Sequence, residues 1–383
     1  MFKALSTAFK SELLSIRDSY YKLFLITLLP LMSFALIIAI FYGGVAHDMP
    51  IAVVDNDKSK LSRQLLFNVD SSSTIKITHN TNSVSEAMDL VKRGEVYGVL
   101  VIPPHFLKDT LLQKQPKVTA MLNTQYILIG KILTAALTKS VMSSAAQVEY
   151  VKSLVSTQNP NATLNAVAPI GLQITPFFNT YQNYFLFLVS ALLPAIWQIF
   201  IVIATLVAVG GMFKEKREQL FFSDKYIGSS LIGLILPYTI AYMILGILYL
   251  FYIYGTLGWH FEGSFAVMIL AMFLTTVAYQ GIALFFFVTG FDYARSLSLG
   301  AVYTAPAFAF LGVTFPIFNM NGFALFWRDI LPVSHLVELQ ISQANYGTNV
   351  FLELDKLLIL LSFWLVFIPV FIRFKKKLGD VVK

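Results

Sequence analysis

Six long apolar runs punctuate the chain, at residues 23–42, 184–209, 227–254, 265–289, 297–318 and 357–372. A helix needs about 20 predominantly apolar residues to cross a bilayer. Each run is near or above that length and none contains Asp, Glu, Lys, Arg or His, so each predicts a transmembrane helix. The pattern changes between the first two runs. There, short apolar stretches at 51–54, 75–78, 99–102 and 118–122 read as strands, with helical periodicity at 58–67, 83–92 and 106–112 between them. Alternating strands and helices predict a small sheet with helices packed on it. Residues 126–156 then read as one long helix, ended by Gln158-Asn159-Pro160-Asn161.

Two flanking patterns complete the picture. Phe2, Leu5, Phe9, Leu13, Ile16 and Tyr20 recur at helical spacing with Lys3, Lys10, Arg17 and Lys22 between them, which predicts an amphipathic helix lying in a membrane interface over 1–22. Residues 319–355 are too polar to span, yet Phe323, Leu325, Phe326, Trp327, Ile330 and Leu331 surround Arg328 and Asp329, predicting a short helix or re-entrant segment near the outer leaflet. The expected fold is an α-helical polytopic membrane protein with six transmembrane helices and an α/β extracytoplasmic domain inserted between the first and second spans. Its parts are an interfacial helix at 1–22, a first span at 23–45, the inserted domain at 46–176, five further spans within 177–374 and a basic tail at 375–383.

Composition supports this: 57% of the 383 residues are hydrophobic and 13% charged, against about 25% charged in soluble domains. Charge sets the orientation. Lys and Arg number four in 1–22, four in 212–226, one in 291–296 and five in 373–383, whereas the opposite segments 255–264 and 319–356 hold only Arg328 and Lys356. By the positive-inside rule both termini and the 212–226 loop face the cytoplasm and 46–176 lies outside. Basic residues beside spans are explained by lipid and insertion bias, so nucleic acid is not an expected partner.

Candidate chemistry is sparse. With no cysteine there are no disulfides, iron–sulfur clusters or thiol nucleophiles. The chain carries no G-x-x-x-x-G-K-[ST] loop, no G-x-G-x-x-G after a strand and no H-E-x-x-H, so nucleotide binding and zinc hydrolysis have no motif. Spans without ionisable groups argue against ion-coupled transport. His47, His79, His105, His260 and His335 are scattered and read as surface or structural, and Asp55-Asn56-Asp57 reads as a turn and helix cap rather than a calcium loop. No metal, cofactor or catalytic residue is expected. The block 212–226, with Lys214, Glu215, Lys216, Arg217 and Glu218, is the only dense charge cluster between Tyr184 and Phe318, and it must lie in water against a membrane face.

In combination these residues resemble the membrane subunits of ABC-2-type (type V) ABC exporters. The segment from Ile51 through Asp57, with Ser59, Ser62 and Arg63, is similar to the family's VAVVDxDxSxxSR opening. The segment from Gly98 through Phe106 is similar to GVLVIPxDF, with His105 where an acidic residue is common. Gly312-Val313-Thr314-Phe315-Pro316 resembles the family's GxxFP segment, and the stretch from Leu331 through His335 to Tyr346-Gly347 resembles its PxxHxxxxxRxxxxxG segment. The 212–226 block corresponds to the family's ATPase-coupling segment, which Glu215, Lys216, Arg217, Glu218 and the later Pro237-Tyr238 match, while Gln219 and Ser223-Asp224 replace its Gly-Thr and Thr-Pro elements.

The resemblance implies an ATP-driven permease that exports an amphipathic or lipid-like substrate. ATP would be bound by a separate cytoplasmic ABC ATPase subunit. Further implied partners are a second permease copy, as homo- or heterodimer, membrane lipids and a periplasmic adaptor, in a bacterial inner membrane. The family's second and fifth spans line its path, which makes Trp197, Gln198, Tyr303 and Thr304 candidates, against the plainer reading that they pack helices. The rival reading of the whole chain is a membrane-anchored sensor or assembly scaffold whose external domain binds a ligand without transport.

Overall fold

The computed structural model describes residues 1–44, 46–112, 114–157, 178, 183–215 and 226–382. The chain forms two units, Met1–Gly44 with Pro176–Lys383, and Val45–Thr175.

The first unit begins with α1 (Phe2–Asp18), α2 (Tyr20–Ile26) and α3 (Leu28–Phe41). The break at Thr27 has a local cause: Pro30 removes one backbone donor, and its ring collides with the carbonyl four residues back, that of Ile26. A helix forms over Phe2–Asp18, but the face that packs is not the full stripe read from the sequence. Ala8, Glu12 and Ile16 are buried, whereas Phe2, Leu13 and Tyr20 are exposed.

The second unit is the α/β unit. It contains β1 (Met49–Asp55), α4 (Lys60–Asp70), β2 (Ile75–Thr81), α5 (Val84–Lys92), β3 (Gly98–Ile102), α6 (Phe106–Leu111), β4 (Thr119–Leu122) and α7 (Ile127–Thr157). The sheet order is β2-β1-β3-β4; β1 runs parallel to β2 and β3, and β4 is antiparallel to β3. Strand side chains alternate between faces. Ile51 and Val53 of β1 join Leu65, Val69, Leu100 and Leu133 on one side, and Ala52 and Val54 join Ala87, Leu90 and Val99 on the other. Asp55 closes the turn after β1, its Oδ1 accepting from the Asp57 and Lys58 amides at 3.0 and 2.9 Å and its Oδ2 from the Ser62 hydroxyl at 2.7 Å. Asp57 Oδ2 accepts from the Leu107 amide at 3.0 Å. The Asp-Asn-Asp stretch is a turn and a cap.

The first unit resumes with α8 (Tyr184–Lys214), α9 (Ile227–Leu250, prolonged by a π turn over Phe251–Thr256), α10 (Phe265–Val288), α11 (Tyr293–Thr304), α12 (Ala307–Phe310), α13 (Gly322–Asp329), α14 (Pro332–Ile341), α15 (Leu354–Ser362) and α16 (Phe367–Val382). Among the described residues five helical stretches are long and apolar enough to cross a membrane: Tyr20–Phe41, Tyr184–Lys214, Ile227–Thr256, Phe265–Val288 and Val350–Lys377. The fifth apolar run, 297–318, is not one long helix. It breaks between α11 and α12 because Pro306 supplies no amide and crowds the carbonyl of Val302. Gly312, at a φ of 82°, and Pro316 keep the remainder irregular.

Helix α1 packs most extensively against α9. The approach depends on Gly233, where a Cβ would stand 2.4 Å from the Leu5 carbonyl oxygen and 2.9 Å from the Ala8 side chain. Gly233→Ala should therefore push α1 away and cost about 1–3 kcal/mol. Gly43→Ala, with nothing within 4 Å of its Cβ, should lose far less. Thermal unfolding of the two variants in nanodiscs checks this; equal stability would show that α1 adapts freely.

Candidate functional site

Where α8 ends and α9 begins, charge enters the bundle. Glu12 of α1 is 1% exposed and Lys22 of α2 is 5% exposed. The Lys22 ammonium donates to Glu12 Oε1 at 2.6 Å and to the Ser15 hydroxyl at 3.0 Å, and the Tyr238 hydroxyl of α9 donates to the same Glu12 oxygen at 2.7 Å. Lys22 lies against Gly211 of α8, where a Cβ would stand in ordinary contact 3.9 Å from its Nζ. Of the predicted coupling residues, Lys214 closes α8 and Glu215 caps it, its amide bonded to Gly211 and Phe213 carbonyls, and both are exposed. Lys216, Arg217 and Glu218 lie outside the described residues.

The four predicted path residues are all inside the helical unit and all engaged. Gln198 of α8 donates through Nε2 to the Thr304 carbonyl at 3.3 Å, a group orphaned by the end of α11. Its Oε1 is buried without a partner among the described residues. Thr304 returns its hydroxyl to the Gly300 carbonyl at 2.8 Å. Tyr303 donates to the carbonyl of Ile330, the C-cap of α13. Trp197 points the other way, its indole donating to the Tyr242 carbonyl of α9 at 3.0 Å. The structure thus brings Gln198 and Thr304 together, with Tyr303 beside Thr304 in the chain, and leaves Trp197 in a different helix contact.

Several residues that sequence reasoning did not single out carry the same kind of contact. Pro194 inside α8 leaves the Ser190 carbonyl without its helical donor. Gln340 of α14 fills the gap, donating to Ser190 at 3.1 Å and to the Tyr254 hydroxyl at 3.1 Å while accepting from Tyr249. Tyr242 donates to the Leu25 carbonyl at 3.3 Å, close to the break at Thr27. The available signal was positional: Ser190 lies four residues before a helical proline, which marks an acceptor needing an outside donor.

A charged cluster ties the 319–355 segment together. Arg328, 7% exposed, pairs with Glu338, and Lys356 pairs with Glu353 at 2.7 Å, whose other oxygen accepts from Ser342. Arg328 and Lys356 are the only basic residues of the 319–356 segment, and each is matched by a nearby acid. His335 Nε2 meets the Asp329 carbonyl at 3.1 Å, so that nitrogen carries the hydrogen. Burial pushes the His335 pKa below its ordinary value, partly offset by that hydrogen bond. A separate open cleft of about 670 Å³ between the start of α8, the 257–262 loop and the 344–346 turn is lined by Asn183, Trp259, His260, Glu262 and Tyr346.

The family described as ABC-2 family transporter protein matches residues 22–373. The chain belongs to that family. It is a multi-pass, permease-type membrane transport subunit. No curated protein matches the chain. The match begins at Lys22, inside the buried pair, and runs through both units to Arg373, so the bundle and the α/β unit of this ABC-2 permease belong to one family architecture.

Because folded His335 resists protonation, the unfolded ABC-2 permease binds a proton there that the native state refuses. Its contribution to stability is complete above the unfolded value of about 6.5 and is lost as pH falls through that value toward the depressed folded one. His335→Gln should flatten the loss of melting temperature between about pH 8 and pH 5. Parallel pH profiles of parent and variant would contradict the assignment.

Proposed function

We propose that this ABC-2 permease is the membrane half of an ATP-driven exporter that moves an amphipathic or lipid-like substrate outward, paired with a second permease copy and powered by separate cytoplasmic ABC ATPase subunits. The carrying observation is the meeting of α1, the last turn of α8 and the first half of α9 around Glu12. Residues 212–226 connect those two spans and supply exposed charge in Lys214 and Glu215. A partner gripping this face would act on two spans at once. Motion of a two-state bundle, selected by ATP binding to that partner, then exposes the substrate outward.

The substrate class follows from what the interior offers. Among the described residues, donors of Gln198, Tyr303 and Gln340 are committed to backbone carbonyls of neighbouring helices. A bare ion would need several such groups freed at once, and each buried polar group left unmatched costs about 1–3 kcal/mol. Apolar helix surfaces accept hydrocarbon without that penalty.

Affinity purification from native membranes should bring down an ABC ATPase subunit whose hydrolysis the permease stimulates. Glu215→Lys with Glu218→Lys places like charges against the complementary surface and should lower stimulation at least about tenfold, equivalent to about 1.4 kcal/mol. Melting temperature should hardly move, since exposed substitutions change stability by only about 0.5 kcal/mol. Recovery of the permease without any ATPase, or full stimulation by the double variant, would favour a sensor or scaffold instead.

A further inference from the structure

We propose that the Glu12–Lys22–Tyr238 cluster is a keyed joint that makes α1 move as one body with the end of α8 and the first half of α9, with Glu12 its positioning residue; its role in transport rests on the ATP-driven reading above. Three facts carry this. The first is the burial of both ions at 1% and 5% exposure. Apolar side chains of similar volume would hold α1 against α9 at least as firmly, because taking two charges out of water offsets much of their attraction. The pair is therefore better explained by register than by adhesion. Contacts through Leu5, Ala8 and Ile16 are non-directional and tolerate a helix sliding along its neighbour. A single carboxylate oxygen held 2.6 Å from an ammonium and 2.7 Å from a hydroxyl tolerates one position.

The second fact is how the chain reaches the joint. Glu12 and Lys22 sit on different helices, separated by the turn at Ser19, whose hydroxyl accepts from the Lys22 amide at 3.4 Å. The ammonium folds back to Glu12 and Ser15, so the pair also fixes the angle between α1 and the first span. The third fact is the position of the glycines. Lys22 lies against Gly211 in the last turn of α8, and Gly233 in α9 admits the Leu5 carbonyl. The carbonyl end of α8 is the negative end of its dipole and favours an ammonium there. Displacement of α1 is thus transmitted to the two helix ends from which residues 216–225 depart.

The chain has no native cysteine, so Lys3→Cys and Lys214→Cys, both exposed positions, can carry spin labels in the full-length permease in nanodiscs. The parent should give one narrow distance distribution. Glu12→Met with Lys22→Met should fold and melt like the parent, yet broaden that distribution at least about twofold as α1 samples neighbouring registers. Tyr238→Phe should broaden it less, and Lys22→Arg in the parent background should keep it narrow. A parent-like distribution in the double Met variant overturns the joint; should that variant not fold, a parent-like distribution in Tyr238→Phe does the same. In the complex with the ATPase subunit, the double Met variant should lose at least about tenfold of the permease-stimulated hydrolysis, and unchanged stimulation would overturn the transmission role. If no ATPase subunit copurifies, the exporter reading falls while the distance widths still decide whether the joint exists.

Discussion

Backbone groups inside a lipid-embedded bundle cannot turn to water, so every carbonyl that loses its helical partner must find another donor. This chain interrupts its helical hydrogen bonding repeatedly, near Thr27, at Pro194 inside the continuous α8, and between Thr304 and Ala307. Around these breaks stands a side chain from another helix: Tyr242 at Leu25, Gln340 at Ser190 and Gln198 at Thr304. Tyr303 and His335 do the same for the carbonyls that end α13. Irregular backbone in the bundle and polar side chains in apolar spans are thus two sides of one requirement, and together they set which helices touch.

The same requirement shapes function. A transport bundle has to change between arrangements, and a donor committed to a remote carbonyl can be exchanged, whereas an unbroken helix has nothing to exchange. Helix α9 differs along its length. Midway along it, Tyr238 reads a buried carboxylate; toward its far end, Tyr249 and Tyr254 hold Gln340 of α14. Hydrophobic packing supplies most of the adhesion between these helices, and the directional bonds decide which of several similar packings is adopted.

Sequence reasoning was strong where the physics is local. The strands of the α/β unit follow from alternation and short apolar runs, and the role of Asp55-Asn56-Asp57 follows from turn chemistry within a few residues. Apolar length located five long helices. It misjudged 297–318 because a length count is blind to Pro306, Gly312 and Pro316. The burial of Glu12 was hidden because a carboxylate among lysines reads as a solvated face, and its partner Tyr238 lies 226 residues away. Trp197, Gln198, Tyr303 and Thr304 were singled out because the resembled family's second and fifth spans line its path, and the carbonyls that Gln198 and Tyr303 satisfy belong to helix ends that only the folded chain brings near.

The most direct test of this account is a double-mutant cycle on Pro194 and Gln340. In the parent, Gln340→Leu should cost about 1–3 kcal/mol, because it strands the Ser190 carbonyl as well as two tyrosine hydroxyls. Pro194→Ala restores the amide that belongs to that carbonyl, while the tyrosines are unaffected, so Gln340→Leu should cost distinctly less in the Pro194→Ala background. A coupling energy above about 0.5 kcal/mol in that direction supports the account. Strict additivity of the two substitutions, measured by unfolding in nanodiscs, would contradict it.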